Sequence, residues 1–371
     1  MLKIISCEIK NFKSFKDFKL SQMNNLTALI GANGVGKSNA LDSIDFLGKC
    51  LQSGIEDFFT TNNKMFKDYI HLWNKNNHTQ YKLTLLNSAD HKLYIYELIL
   101  KLADNDALNI ALEKFTAYDS TNNVKLYSSI FHSHKNGKLH LSKYYDINDD
   151  QKKLYNFLTN IKIYNFYSNN LIKHRLSNTD IEDKKYLHQN CSNLSSILFH
   201  LHRHYKAEYV RIVTYIKMIL QGFEDFHFKI NDRNLDLQCI MTFNAEPMPL
   251  KFLSSGAIRF ILLVIILNLP KILRPSVLML EEPEIALHHQ AINIIGDMID
   301  VYSADSQIIL ATQSPYLLNT LSLENLYVLN MDFKTGETQL SNINHEMLEQ
   351  WLRTETLGNL WFMNLLGGNP I

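Results

Sequence analysis

The chain has 371 residues, 46% of them hydrophobic, with Lys+Arg and Asp+Glu balanced at 37 each. This is an ordinary globular composition, long enough for one large core or two modest ones. The balanced charge supplies no global field to recruit nucleic acid or membrane, so any basic surface has to be local. Four scattered cysteines (Cys7, Cys50, Cys191, Cys239) form no C-x-x-C pair, which argues against zinc and for reduced thiols in a cytosol. The start, MLKIISCEIKNFKSF, lacks the apolar core and cleavage site of a secretory signal. The most apolar stretch, 258–269, stops at Pro270 and Lys271, short of the ~20 residues a membrane span needs. The expectation is a soluble, cytoplasmic protein with no membrane partner.

Two strands open the chain, at 3–9 and 15–20, and a third apolar run, 26–30, ends at Gly31. Leu41, Ile44, Leu47 and Leu51 then recur at helical spacing, so the order is strand, glycine-rich turn, helix. Residues 60–145 carry short β-like runs (YKLTLL, LYIYELIL, KFTAYD, KLHLSKYY) between polar clusters, which predicts an antiparallel, hairpin-rich lobe. A helix near 149–160 and a strand, IKIYNF, follow. From about 171 to 222 the pattern is helical, with Leu194, Ile197, Leu198 and Leu201 on one face and Val210, Val213, Ile216, Ile219 and Leu220 on the next. Beyond 235 strands and helices alternate: strand 237–243, helix 256–269, strand 277–280, helix 286–302, strand 308–311 and a helix after Pro315. A strand pair (325–331, 337–342) and a terminal helix (345–366) close the chain. Such alternation predicts a parallel sheet covered on both faces. The expected division is an N-terminal lobe at 1–170, a helical insertion at 171–234 and a C-terminal lobe at 235–371.

The octapeptide GANGVGKS, residues 31–38, fits G-x-x-x-x-G-K-[ST] at every fixed position. Gly31, Gly34 and Gly36 let backbone N–H groups wrap a phosphate, Lys37 reaches the β- and γ-phosphates, and Ser38 offers a hydroxyl to Mg²⁺. The following helix aims its positive end at the same phosphates. Asn33, Gly34, Gly36, Lys37, Ser38 and Asn39 are therefore the candidate ATP-binding residues.

A P-loop fold also needs a second strand beside the first that delivers carboxylates. VLMLEEPE, residues 277–284, is a buried-type strand that runs into three glutamates. Glu281 would hold Mg²⁺, directly or through water, and Glu282 would act as general base on the attacking water. The usual first acid is Asp, so Glu281 is a departure. Alone, E-E-P-E at a strand end also describes a solvated acidic turn.

In order, the P-loop, LSSGAIRF (253–260), the acidic strand end and IILATQSP (308–315) resemble the ATPase head of ABC-type proteins. The similarity is to the RecF/SMC-like branch, and within it to short bacterial ATPases related to the N-terminal part of the overcoming-lysogenization-defect (OLD) proteins. IKNFKSFKDFKL…LTALIGANGVGKSNALDSI at the start and TLGNLWFMNLLGGNP at the end carry it over nearly the whole chain. It implies an α/β fold: a P-loop ABC-type head with an antiparallel β lobe, a parallel-sheet core and a helical insertion.

By the same resemblance Ser254, Ser255 and Gly256 match the signature that caps the γ-phosphate of a second protomer, which implies a homodimer or higher oligomer closed by an ATP sandwich. Taken alone, those residues also make an N-cap. Gln313 stands where transporter-type heads carry a switch histidine, and cannot take its positive charge, which implies slow hydrolysis. Asn11 and Lys13 match residues that approach the nucleotide in SMC-like heads, although Lys13 also suits a solvated loop. Glu284 and His288 are expected at the dimer seam, and the glutamine loop is placed no closer than Ser168–Asn170. Histidines 200 and 204 share a helical face without a partnering carboxylate, which favours a structural role. Neither a TOPRIM-type nuclease domain nor coiled-coil arms are seen in the chain. The resemblance thus implies an ATP-gated sensor or scaffold in anti-phage defence with a separately encoded effector. The alternative is a RecF-like ATPase that binds DNA in repair, for which basic clusters at 173–175 and 200–206 are the only local support.

Overall fold

The computed structural model describes residues 2–61, 65–71, 78–102, 108–132, 138–165, 179–231, 234–341, 343 and 345–368. Strands β1 (Leu2–Phe12) and β2 (Phe15–Ser21) form a hairpin, and β3 (Leu26–Ile30) leads through the glycine turn into α1 (Lys37–Ser53) and α2 (Ile55–Thr61). Four strands follow: β4 (His78–Asn87), β5 (Lys92–Leu102), β6 (Leu108–Asp119) and β7 (Lys125–Phe131). After α3 (His140–Tyr144), α4 (Asp149–Thr159), β8 (Ile161–Asn165) and β9 (Thr179–Asp180) come α5 (Leu194–His204) and α6 (Lys206–Ile219). A meander of β10 (Phe223–Asn231), β11 (Asn234–Met241) and β12 (Asn244–Pro249) precedes α7 (Ser255–Leu267). The chain ends with β13 (Val277–Glu281), α8 (His289–Ser303), β14 (Gln307–Thr312), α9 (Pro315–Leu318), β15 (Leu326–Asp332), β16 (Glu337–Leu340), α10 (His345–Trp351) and α11 (Leu357–Phe362).

The centre is a six-stranded sheet in the order β16-β15-β3-β14-β13-β8, parallel except for the edge strand β16. Every residue of β3, β13 and β14 is buried, as continuous apolar runs covered on both faces should be. Successive side chains point to opposite faces of a strand, and this period divides the protein into two cores. Ala28, Ile30, Leu278, Leu280, Ile308 and Leu310 pack in one core with α5, α6, α7 and α8. Leu29, Val277, Met279, Ile309 and Ala311 pack in the other with α1 and the antiparallel sheet β2-β1-β4-β5-β6-β7.

Four expectations need correction. The insertion is not purely helical: β10 occupies Phe223–Asn231, pairs with β11 and carries the sheet across the boundary expected at residue 234. Its register shifts between Phe223 and Asp225, so the buried Phe223 and Phe226 stand three apart and disguise the strand's alternation. The acid strand is not beside the P-loop strand, because β14 pairs with both β3 and β13. The helix expected from 286 starts at His289, after a loop at 282–288. The terminal helix is two short ones. Thr356 Oγ1 caps the second by accepting from Asn359 N at 3.3 Å, and Asn319 Oδ1 accepts from Gly358 N at 2.7 Å. Tertiary hydrogen bonds thus set that break. The start of the insertion, Ser168–Asn170 and residues 173–175 lie outside the described residues. Among the described residues no helix is long and apolar enough to cross a membrane.

Leu278 lies in β13, fully buried between β8 and β14. Leu278→Ala should cost about 2–5 kcal/mol of unfolding free energy in a denaturant titration, because neighbours on both sides limit collapse into the cavity.

Candidate functional site

In the parallel sheet β3, β8, β13 and β14 all finish at one edge. Register places Thr312 opposite Ile30, Ala311 opposite Glu281 and Asn165 on Glu281's other side. Ligands of open α/β sheets bind at such carboxyl ends. The P-loop, the glutamates and Gln313 all emerge here.

Gly36 is the N-cap of α1, with φ of 103° and no side-chain cap, so the first N–H groups of the helix are open to an anion. A Cβ at Gly36 would stand 2.3 Å from Thr338 Oγ1 and 2.9 Å from Ser14 Oγ, so this left-handed position tolerates only glycine. Thr338 Oγ1 donates to Val35 O at 2.8 Å and shares a hydrogen bond with Ser14 Oγ at 2.7 Å, while Asn39 Nδ2 donates to that Ser14 oxygen at 2.7 Å. The loop is braced from beneath, and its outer face, Asn33, Gly34 and Ser38, is exposed. Lys37 is buried, with Nζ donating to Gly31 O at 2.7 Å and Ala32 O at 2.8 Å. Burial lowers the pKa of its ammonium, opposed by Glu282, Glu284 and Glu281. Those two carbonyls therefore hold the lysine at the loop.

Glu281 is buried at the end of β13, with the polar side chains of Ser38 and Asn165 close by. Burial raises its pKa, and Ser38 and Asn165 act against that rise. Two hard oxygen donors, the Ser38 hydroxyl and the Glu281 carboxylate, could hold Mg²⁺, which accepts one or two protein oxygens alongside phosphate and water. Among the described residues no group of three His, Cys, Asp or Glu could hold a metal unaided.

Glu282 turns sharply: its φ is 43°, its N donates to Ala311 O at 2.8 Å, and its partly exposed side chain makes no hydrogen bond among the described residues. Ala286 is also left-handed, with φ of 63°. Such strain at non-glycine residues costs on the order of 1–3 kcal/mol and gathers at functional turns. Glu284, expected at a dimer seam, instead turns inward. Its Oε1 accepts from Thr312 Oγ1 at 2.6 Å and Gln313 N at 3.4 Å, while its Oε2 is buried with no hydrogen-bond partner among the described residues. Thr312 Oγ1 accepts in turn from Ser314 N at 3.0 Å, and Ser314 Oγ caps α9. Glu284 therefore ties the acidic turn to the strand end that carries Gln313.

On the other face, the exposed Ser254 caps α7 by accepting from Ala257 N at 3.2 Å. A Cβ at Gly256 would lie 2.4 Å from Ala286 O, and Arg259 Nη1 donates to Ile285 O at 2.8 Å. The LSSG segment is thus locked to the loop after the glutamates.

The profile of the family described as "AAA domain, putative AbiEii toxin, Type IV TA system" matches residues 26–319, from β3 through α9. The chain belongs to this AAA domain family. Comparison with curated proteins finds no significant match. Among solved structures, the SMC head bound to the C-winged-helix domain of ScpA is similar at TM-score 0.58 and 15% identity, covering 93% of this chain and 99% of that one. An SMC head with an extended coiled coil, bound to the C-terminal domain of ScpA and derived from Pyrococcus furiosus, is similar at TM-score 0.56 and 13% identity, over 95% and 99%. The AAA domain therefore has the fold of an SMC-like, ABC-type ATPase head.

Ahead of the matched AAA region, Asn11 and Lys13 both have left-handed backbones, with φ of 57° and 46°. Lys13 Nζ pairs with Asp42 Oδ2 at 2.5 Å and lies 5.2 Å from the Tyr69 ring centre, so it is fastened to α1 rather than solvated. Asn11 is buried, with Nδ2 3.4 Å from His78 Nε2. His288 caps α8 through Nδ1, and the rings of His200 and His204 lie 4.8 Å apart. Ser14, Asp42, Asn165 and Thr338 were not identified from sequence. Only Asn165, the last polar residue of a strand that ends at this edge, carried a local signal.

Burial raises the Glu284 pKa, so this carboxyl is more proton-loving folded than unfolded. Its contribution to stability is greatest at low pH and falls as pH rises through the usual carboxylate range to the raised value. Glu284→Gln keeps the acceptor for Thr312 and should raise the thermal midpoint at pH 8, with the gain shrinking toward pH 4 in a calorimetric series.

Proposed function

We propose that this protein binds ATP with Mg²⁺ at the carboxyl edge of its parallel sheet and hydrolyses it slowly as a homodimer. One observation carries the reading: the buried Glu281 at the end of the acid strand lies close enough to Ser38 of the P-loop helix for that side chain to act on its carboxyl, next to the left-handed Glu282. N–H groups of the P-loop and of the α1 N-terminus bind the β- and γ-phosphates, with Lys37 leaving the Gly31 and Ala32 carbonyls to join them. Ser38 and Glu281 would hold Mg²⁺, which would offset phosphate charge. Glu282 takes the proton of the attacking water. Gln313, positioned through Glu284, donates a hydrogen bond at the γ-phosphate without adding charge, which keeps turnover slow. Asn39 steadies the loop through Ser14, and Asn11 and Lys13 flank the nucleotide from the β1 end.

The signature works in trans. Helices α1 and α7 cover opposite faces of the sheet, so the N-terminus that begins at Ser254, Ser255 and Gly256 is available to a nucleotide held by a second copy. A two-fold pair then closes two equivalent sites. We further propose that the closed and open states govern a separately encoded effector in anti-phage defence, within the cytoplasm. Support comes from the toxin–antitoxin wording of the family description and from solved SMC-like heads bound to a partner's domain.

Glu282→Gln should slow hydrolysis about 10²–10⁴-fold and accumulate an ATP-bound dimer in light scattering; turnover at the wild-type rate would place the base elsewhere. Lys37→Ala should abolish nucleotide binding in a calorimetric titration.

A further inference from the structure

At the opposite edge of the same sheet, below the first residues of β8 and just before β13, lies a cavity of about 510 Å³. Its walls come from the C-terminal turn of α4, the residues after the meander's apolar helix, and the loop that follows β9. This size is within the usual range for a small-molecule site. Among the described residues no carboxylate lines it, whereas Lys162, Lys185 and Arg274 all do.

The three cations are not equally compensated. Arg274 Nη1 is paired with Asp305 Oδ1 at 2.6 Å. Lys162 is only partly exposed and has no ion pair among the described residues; its Nζ reaches Thr159 O at a weak 3.5 Å and lies 5.3 Å from the Tyr186 ring centre. Burial lowers its pKa, and Asp45, the acid that acts against this, is already engaged by Lys49 at 2.6 Å and by Gln189 Nε2 at 2.9 Å. Lys185 is exposed and likewise without an ion pair among the described residues. A half-buried ammonium costs free energy unless an anion answers it. Lys162 is such a group, and the exposed Lys185 adds a second uncompensated positive charge at the cavity.

Two tyrosines line the same cavity. Tyr155 is stacked on Tyr145, with centroids 4.4 Å apart and planes at 18°, which makes it a firm wall; Tyr186 already lies against Lys162. Flat aromatic faces next to phosphate-binding cations are what a nucleotide base and its phosphate require. We infer that this cavity is a second ligand site, distinct from the P-loop, that takes a nucleoside monophosphate, with the phosphate between Lys162 and Lys185 and the base against Tyr186. The ligand would sit at the far ends of the two strands whose other ends deliver Asn165 and Glu281.

The test uses the full-length Lys37→Ala protein, in which the P-loop is disabled, and equilibrium dialysis with radiolabelled AMP. Saturable AMP binding should persist there, weaken about tenfold or more in Lys37→Ala carrying Lys162→Ala or the surface change Lys185→Ala, and weaken likewise with Tyr186→Ala. Inorganic phosphate should compete only poorly. Absence of saturable binding, or equal binding by the lysine variants, would overturn the site. Displacement by inorganic phosphate as effective as by unlabelled AMP would overturn the nucleoside assignment. Because the P-loop plays no part, these outcomes are independent of whether it binds ATP.

Discussion

The approach of the Ser38 side chain to the buried Glu281 carboxyl joins the two halves of the nucleotide edge. Ser38 belongs to the helix that follows β3, Glu281 to β13, and β14 lies between their strands. Only parallel pairing in the observed register brings those ends level, with Thr312 and Gln313 at the midpoint. The apolar runs of β3, β13 and β14 are therefore functional as well as structural: their burial fixes the register, and a slip of one residue would exchange the two cores and scatter the carboxylates.

Several local costs are concentrated around that point. Glu282 and Ala286 are held in left-handed turns, Lys37 is buried, and Glu284 keeps a buried oxygen with no partner among the described residues. Each would be unfavourable in an ordinary loop. Here the surrounding groups hold them in place: Ala311 O takes the Glu282 N–H, Gly31 and Ala32 carbonyls take the lysine, and Thr312 takes one oxygen of Glu284. Strain and desolvation gathered at one edge, with an open loop face above it, describe a site organised before its ligand arrives.

The P-loop and the acidic strand end were legible in sequence because their chemistry is local: glycines at fixed spacing, a lysine and serine at a helix start, an apolar run ending in acids. So was the alternation that makes a two-faced sheet. The strand order was not, since nothing in VLMLEEPE says that QIILAT will stand between it and LTALI. Thr338 lies some three hundred residues from the P-loop it supports, and Ser14 is an unremarkable turn serine; only folding makes them neighbours. Strand β10 was missed because a register shift disguised its period, and the split terminal helix because its second cap depends on Asn319 from another element.

The central claim is a composite site in which one copy supplies the P-loop and glutamates and the other supplies the LSSG helix. Mixing Lys37→Ala protein with Ser254→Arg protein, each inactive alone, tests it most directly through ATP hydrolysis. In a two-fold dimer the mixed pair keeps one intact site, so an equimolar mixture should recover about a quarter of wild-type activity. No recovery on mixing, from variants that still associate, would contradict the account.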